Sequence, residues 1–327
     1  MTITHTDWSD YAAGLAVALI DSGDLRDPAW AAAIAATPRH RLVPIAFEQQ
    51  PDGSWAEIDL SGQQGLALVY SPTTLVTEVD AEGGAVSSST KPDLMVRMLE
   101  TLDVHDGHRV LEIGTGTGYN VALLACRLGD ERVFSLDVGT DLVAAAGQRL
   151  AAIGCYPRLT ARDGIEGWPE HAPYDRIIAT CSVPRVPWAW AQQLTPGGKV
   201  LADLKVGIGA GNLVLLERYD DRLEGRFTGR WAAFMGMRHD GDVTPSRAPK
   251  AEASQAPRMG PGRFVKAAPA RSGNRSSAPT SAGTSGINPP GSASGSPSPQ
   301  PRRKSGWTIP MENSGGRSNR CRAMRAL

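Results

Sequence analysis

The stretch VLEIGTGTGYN, Val110 to Asn120, constrains the fold more than any other part of the chain. A short apolar run is followed by glycines at positions 114, 116 and 118 and then by a helix-like segment. Alternate glycines permit a tight turn with positive φ and let a ligand lie directly against backbone N–H groups at a helix N-terminus. In a doubly wound sheet such a turn sits where nucleotide-like ligands bind. The dinucleotide fingerprint G-x-G-x-x-G would need glycine at position 119, and Tyr119 stands there instead. A nicotinamide oxidoreductase is therefore the weaker reading of this loop.

The surrounding pattern supports that sheet. Leu94 to Leu102 and Tyr119 to Leu128 read as helices, and Arg109 to Ile113 and Val133 to Leu136 as buried strands. Thr140 is the expected N-cap of a helix running to about Ile153, with Gly154 just past its end. Arg158 to Ala161, Arg176 to Thr180 and Lys199 to Leu204 supply further strands, and Leu213 to Arg218 with Gly225 to Gly229 suggest an antiparallel closure. The expected class is α/β: a doubly wound, mostly parallel seven-stranded Rossmann-like sheet with an N-terminal α+β extension. In that extension Trp8 to Ser22 and Pro28 to Ala36 read as helices, and Ile58 to Val79 as strand-like runs such as LALVY. The expected divisions are residues 1–85, 86–243 and 244–327.

Charge separates the last division from the others. Residues 244–327 carry 14 Lys and Arg against 2 Asp and Glu, so a net charge of zero hides about +12 in the tail and −12 elsewhere. The tail is rich in Pro, Ser, Gly and Ala, too poor in large apolar residues to offset ordering entropy, and is expected to be disordered. It has one aromatic after Phe264, namely Trp307, and no stacking pattern, which argues against nucleic-acid binding. A shifted reading frame of a GC-rich gene would give the same composition. The start, Met1 to Asp10, lacks a basic segment followed by an apolar run, and no stretch approaches the roughly 20 apolar residues that span a bilayer. A cytoplasmic protein without membrane attachment is expected. Cys126, Cys155, Cys181 and Cys321 show no C-x-x-C pairing and read as buried or idle thiols. His105 and His108 lie in a polar turn and suggest no metal, while Trp188 and Trp190 read as packing residues.

Three acids stand at three successive strand ends. Glu112 precedes the glycine turn by two residues, a sign that suits a ligand bearing an ammonium and a sulfonium. Asp137 closes the second strand, where a carboxylate accepts from ribose hydroxyls. Asp163 follows the third strand in RDG and is placed to accept from an adenine amino group. Together with Gly114, Thr115, Gly116, Gly118, Val138 and Gly164, these acids form the expected wall for S-adenosyl-L-methionine.

LEIGTGTGY, the DG of ARDGIEGWPEHAPYDRII and the LTPGGKV beginning at Leu194 resemble protein-L-isoaspartate O-methyltransferases over roughly Ile34 to Arg218. PRHRLVP, Pro38 to Pro44, is similar to that family's N-terminal segment, and SSSTKPDLM, Ser87 to Met95, to its substrate-side loop. The resemblance implies a carboxyl O-methyltransferase using S-adenosyl-L-methionine on a peptide or protein bearing Asp or isoAsp. It implies cofactor contacts at Gly114, Gly116, Asp137 and Asp163, and at Thr90 a hydroxyl near the acceptor carboxylate. The Ser87 to Thr90 run and the long segment Gln49 to Gly84 are also similar to a branch found with ATP-grasp peptide maturation systems. That branch implies a precursor peptide and an ATP-grasp ligase as partners. A non-catalytic adapter that keeps the cofactor fold is a third reading.

Such a reaction asks little of side chains. A carboxylate of pKa about 4 is ionised at neutral pH, so no general base is required. Catalysis then rests on alignment, with effective molarity supplying up to roughly 7 to 11 kcal/mol, and on exclusion of water. Thr90 and the backbone around Ser88 and Ser89 are the expected acceptor-orienting groups.

Overall fold

The computed structural model describes residues 8–205, 207 and 211–239 and the backbone of 264–267, all within one compact unit. The chain opens with α1 (Trp8–Asp21), α2 (Pro28–Ala36) and the single turn α3 (Arg39–Leu42). α2 begins as its sequence dictates: Asp27 accepts a hydrogen bond from the Ala29 N–H, and Pro28 occupies the first turn. β1 (Phe47–Gln49), β2 (Trp55–Glu57), α4 (Gly62–Val69), β3 (Leu75–Val79) and β4 (Ala85–Ser89) follow. The four strands form one antiparallel sheet in the order β2-β1-β3-β4.

The LALVY stretch corrects the sequence reading, because it lies in and just after α4 rather than in a strand. Gly65 and Val69, four residues apart, are its buried positions. A short apolar run does not by itself distinguish a buried strand from one buried side of a helix. The expected division at residue 85 falls on the first residue of β4, so Ser87, Ser88 and Ser89 belong to the N-terminal sheet.

After α5 (Pro92–Thr101) come β5 (Val110–Ile113), α6 (Tyr119–Leu128), β6 (Val133–Asp137), α7 (Thr140–Ala152) and β7 (Arg158–Ala161). β8 (Tyr174–Val183), α8 (Trp188–Gln193), β9 (Leu194–Leu204), β10 (Gly211–Arg218) and β11 (Leu223–Ala232) complete the continuous part. A further strand, β12 (Phe264–Ala267), pairs with β11. The sheet therefore has eight strands, in the order β12-β11-β10-β9-β8-β5-β6-β7, where seven were expected. The extra strand lies inside the tail expected to be disordered; the rest of that tail is outside the described residues. Pairing is parallel from β7 to β9 and antiparallel from β9 to β12.

β5 is buried at all four positions, as a central parallel strand covered on both faces must be. The chain runs outward from β5 through β6 to β7 and returns to β8 on the other side of β5. That reversal makes a switch point at the carboxyl ends of β5, β6 and β8. One hydrophobic core joins the N-terminal helices to α5 and α6, and a second covers the other face around Phe134, Tyr174 and Trp190. Arg127 on α6 fastens the extension, lying 4.3 Å above the Trp30 ring and pairing with Asp27 at 2.6 Å.

Gly139, not Thr140, is the N-cap of α7. Gly154 follows the helix with φ of 71°, as expected. Cys155, which is buried, and Cys181 are free thiols, and Cys321 lies outside the described residues.

Candidate functional site

The turn after β5 has φ values of 102°, 50° and 87° at Gly114, Gly116 and Gly118. This left-handed backbone is open to glycine at little cost and strained for other residues. Space is restricted as well: a Cβ at Gly114 would stand 2.5 Å from Thr180 Oγ1. The Gly114 and Thr115 N–H groups both donate to the Leu136 carbonyl, at 2.8 and 3.2 Å, fixing the turn against β6.

Beside this turn lies a cavity of about 280 Å³. Its walls bring together Glu112, Gly114, Thr115 and Gly116 from the β5 turn, Asp137 and Val138 from the end of β6, Gly164 after β7, and Ser88, Ser89 and Thr90 from the N-terminal sheet. These segments are far apart in sequence and meet only because the two sheets face each other here. A Cβ on Gly116 would lie 3.7 Å from the Ser88 carbonyl and 3.9 Å from Ser87 Oγ, so loop and acceptor strand confront one another directly.

Two expected residues stand elsewhere. Gly118 does not line the cavity; it is the left-handed N-cap of α6, and a Cβ there would press on Leu150 at 3.3 Å. Asp163 lies behind Gly164, where Oδ1 accepts from the Ile165 N–H at 2.9 Å. Both its carboxylate oxygens are also 3.0 Å from His239 Nδ1.

The electrostatics differ from wall to wall. Glu112 is 1% exposed and accepts from Asn120 Nδ2 and the Ser135 hydroxyl, each at 2.7 Å. Burial outweighs those bonds and, with Asp137 nearby, pushes the carboxyl up to about 7. Asn120 also lines the cavity, and its Oδ1 is buried without a partner. Asp137 accepts from the Gly116 N–H at 3.0 Å and the Gly139 N–H at 3.3 Å, bracing the glycine turn. A buried carboxylate without a cation and an unpartnered amide oxygen suit a ligand carrying an ammonium. A carboxylate at the end of β6 suits its ribose. The residues thus fit S-adenosyl-L-methionine.

Several lining residues escaped the sequence reading. Thr180 donates to the Ile113 and Gly114 carbonyls at 3.1 and 2.7 Å and fills the space that Gly114 leaves open. Its position at the end of the strand next to β5 was the available signal. Cys181 lies beside it; burial, then Asp137 and Glu112, push its thiol up to about 12. It therefore stays protonated and is a poor nucleophile toward a sulfonium. Phe234 to Arg238 form another wall, held to β8 because the Ser182 N–H donates to the Met235 carbonyl and the Met237 N–H to the Ser182 carbonyl, both at 2.8 Å. Trp190 is fully buried and donates from Nε1 to the Gly164 carbonyl at 2.7 Å, a packing role as expected. In the HDGH turn, His108 Nδ1 accepts from the His105 N–H at 3.0 Å.

On the acceptor side the strand alternates. Ser87 and Ser89 are buried, whereas Ser88 and Thr90 are half-exposed. The Ser89 hydroxyl accepts from Arg39 Nη2 at 3.2 Å, so it faces the core. Thr90, whose hydroxyl was expected to orient an acceptor, shares the opposite face with Ser88.

Comparison with known proteins places the chain in a family. Residues 12–229 match the family model described as protein-L-isoaspartate(D-aspartate) O-methyltransferase. A protein-L-isoaspartate O-methyltransferase of Methylorubrum populi is 36% identical over 161 residues, 48% of this chain and 75% of that protein. One from an Anaeromyxobacter species is 33% identical over 204 residues, 61% of this chain and 83% of that protein. A solved protein-L-isoaspartate O-methyltransferase superposes with a TM-score of 0.58 at 28% identity, covering 69% of this chain and 66% of that one. The putative Plasmodium falciparum enzyme, solved with S-adenosyl-L-homocysteine, shares the fold with a TM-score of 0.54 at 14% identity, over 69% of this chain and 98% of that one. Across two thirds of its length, and through both walls of its cavity, this chain belongs to the protein-L-isoaspartate(D-aspartate) O-methyltransferase family.

Proposed function

We propose that this cavity transfers a methyl group from S-adenosyl-L-methionine to the free carboxylate of an isoaspartyl residue in a peptide or protein. The observation that carries the reading is the direct opposition of Gly116 to Ser87 and Ser88 across one cavity. It sets a backbone-lined pocket for a nucleotide-like group beside a hydroxyl-bearing strand.

The bound cofactor supplies an electrophilic methyl on a sulfonium. The chain's task is to hold a carboxylate in line with it and keep water out. Thr90 lines the cavity, and its hydroxyl has no partner among the described residues, so it is free to donate to the acceptor. Ser88, on the same face of the strand, offers a second hydroxyl. Glu112 and Asn120 hold the amino end of the cofactor, and Asp137 its ribose. Asp163, tied to His239 and the Ile165 N–H, shapes the adenine side through Gly164. Once methylated, the carboxyl carries methoxide, a far better leaving group than oxide, and the following backbone nitrogen closes an imide without help from the protein.

Substrate choice has a second reading. The long segment Gln49 to Gly84 builds β2, β3 and α4, and β3 is the neighbour of the Ser87–Ser89 strand. This favours a role for that segment in reading one partner, such as a precursor peptide matured alongside an ATP-grasp ligase. No helix among the described residues is long and apolar enough to cross a membrane; a cytoplasmic setting is part of the proposal. The test is methanol release and mass shift on isoaspartyl peptides of varied flanks, matched aspartyl peptides and any precursor encoded nearby. Turnover of isoaspartyl peptides whatever their flanks supports repair. Turnover of the precursor alone, with loss of water from Asp, replaces repair by tailoring, and no methyl transfer to any of them overturns both.

A further inference from the structure

Behind the acceptor strand lies a cation that the proposed reaction has not yet used. Arg39, in the single turn α3, is fully buried. Its Nη1 donates to the carbonyls of Val69 at 2.5 Å and Ser71 at 3.2 Å. Nη2 donates to the Thr73 carbonyl at 3.4 Å, Ser89 Oγ at 3.2 Å and the Thr90 carbonyl at 3.4 Å. The guanidinium carbon lies 5.1 Å from the centre of the Tyr119 ring, the first residue of α6 after the glycine turn. One side chain therefore ties together the end of α4, the start of β3, the acceptor strand and the helix that follows the cofactor loop.

No carboxylate among the described residues lies within ion-pair distance of Arg39, and its Nε has no hydrogen-bond partner. Among the described residues, the groups that offset the charge are carbonyls, the Ser89 hydroxyl and the side chains of Tyr119 and Tyr70. Burial lowers its proton affinity from the ordinary guanidinium value, yet a guanidinium stays charged in proteins. A buried cation without a counter-ion is expensive, and stability alone would favour an apolar side chain of similar volume. A function that uses both the charge and the planar fork accounts for an arginine here.

We propose that Arg39 is the positioning residue of the acceptor wall, fixing Ser89 and the Thr90 backbone so that the Thr90 hydroxyl meets the substrate carboxylate in one orientation. The proposal rests on the reading of Thr90 given above. Two contributions separate physically. The positive charge attracts the carboxylate in the ground state and helps less in the transition state, because methyl transfer to the carboxylate cancels its negative charge. Charge should therefore act mainly on KM. The fork, which fixes Ser89 and Thr90 together, sets alignment and should act on kcat.

Arg39→Lys keeps the charge and loses the fork. On isoaspartyl peptides it is expected to lower kcat by at least about 10-fold while KM moves by less than about threefold and S-adenosylhomocysteine affinity by less than about twofold. Arg39→Met loses both, and KM should rise by a further factor of about 10. Ser89→Ala removes one partner of the fork, so the double variant Arg39→Lys, Ser89→Ala should be no slower than Arg39→Lys alone. If Arg39→Met does not fold, Arg39→Lys and Ser89→Ala decide. An Arg39→Lys enzyme with kcat and KM both within twofold of wild type overturns the proposal. So does a parallel loss of cofactor affinity and turnover, or fully additive effects with Ser89→Ala, since each marks a merely structural arginine. Wild-type enzyme inactive on every isoaspartyl peptide would instead overturn the functional reading, and this proposal with it.

Discussion

The two walls of the cavity are made of different material. The cofactor wall is largely backbone: two left-handed glycines, Gly114 and Gly116, N–H groups pinned to Leu136, and a carboxylate braced on two amides. The acceptor wall consists of small hydroxyl side chains on an edge strand of a separate sheet, held from behind by Arg39. Backbone geometry tolerates almost no change in residue type, whereas a hydroxyl wall tolerates exchange of Ser for Thr and admits insertions nearby. A conserved cofactor with a variable acceptor is the expected outcome of that division.

The sharpest way to break the contrast is Gly114→Ala. It adds a Cβ at φ of 102°, 2.5 Å from Thr180 Oγ1, and should cost about 3 kcal/mol or more in S-adenosylhomocysteine binding, at least about 100-fold. Calorimetry showing affinity within a few-fold of wild type would mean that the cofactor does not rest on this turn.

Next in size is a pH effect confined to the cofactor wall. The Glu112 carboxyl titrates near 7 in the folded chain, against an ordinary value of 4.5. Between those values the folded state holds the proton that the unfolded state has lost. Stability should therefore fall as pH rises from about 4.5 to about 7, by up to roughly 3 kcal/mol. Glu112→Gln removes the titration, and its unfolding free energy should lose that downward slope; an unchanged slope in denaturant titrations refutes the assignment.

Asp137→Ala should weaken cofactor binding by about 1.5 to 3 kcal/mol with the fold intact. A folded variant of unchanged affinity removes Asp137 from the site. Thr90→Val is the counterpart on the other wall: kcat/KM down about 10-fold, or about 1.4 kcal/mol, with cofactor affinity unmoved. Unaltered turnover returns the Ser87–Thr90 segment to the status of a connector. The smallest expected effect is deletion after Asp242, which removes only β12 from the described structure; the melting temperature should shift by no more than a few degrees and cofactor affinity not at all. A larger loss would show that the tail supports the sheet.

The same division explains what the sequence disclosed. The β5–α6 unit was legible because positive φ restricts residue type locally, and Tyr119–Leu128 emerges as a helix at the expected limits. Glu112, Asp137 and the strand ends followed from spacing in a doubly wound sheet. The N-terminal region was less legible because its determinants are distant. LALVY became a helix through burial that no local pattern encodes, and β12 arose in a segment whose composition argued for disorder. Arg39 stood in the quoted PRHRLVP, yet its partners lie 30 to 51 residues downstream. Gly118 and Asp163 matched the spacing, but packing turned one toward Leu150 and the other toward His239.

Residues 234–238 close the cavity from far along the chain, more than 110 positions after the glycine turn, and are anchored to β8 only through Ser182. During synthesis the glycine turn, the acids and the acceptor strand therefore all leave the ribosome before their common wall exists. Completion of the cavity is thus one of the last steps open to the growing polypeptide.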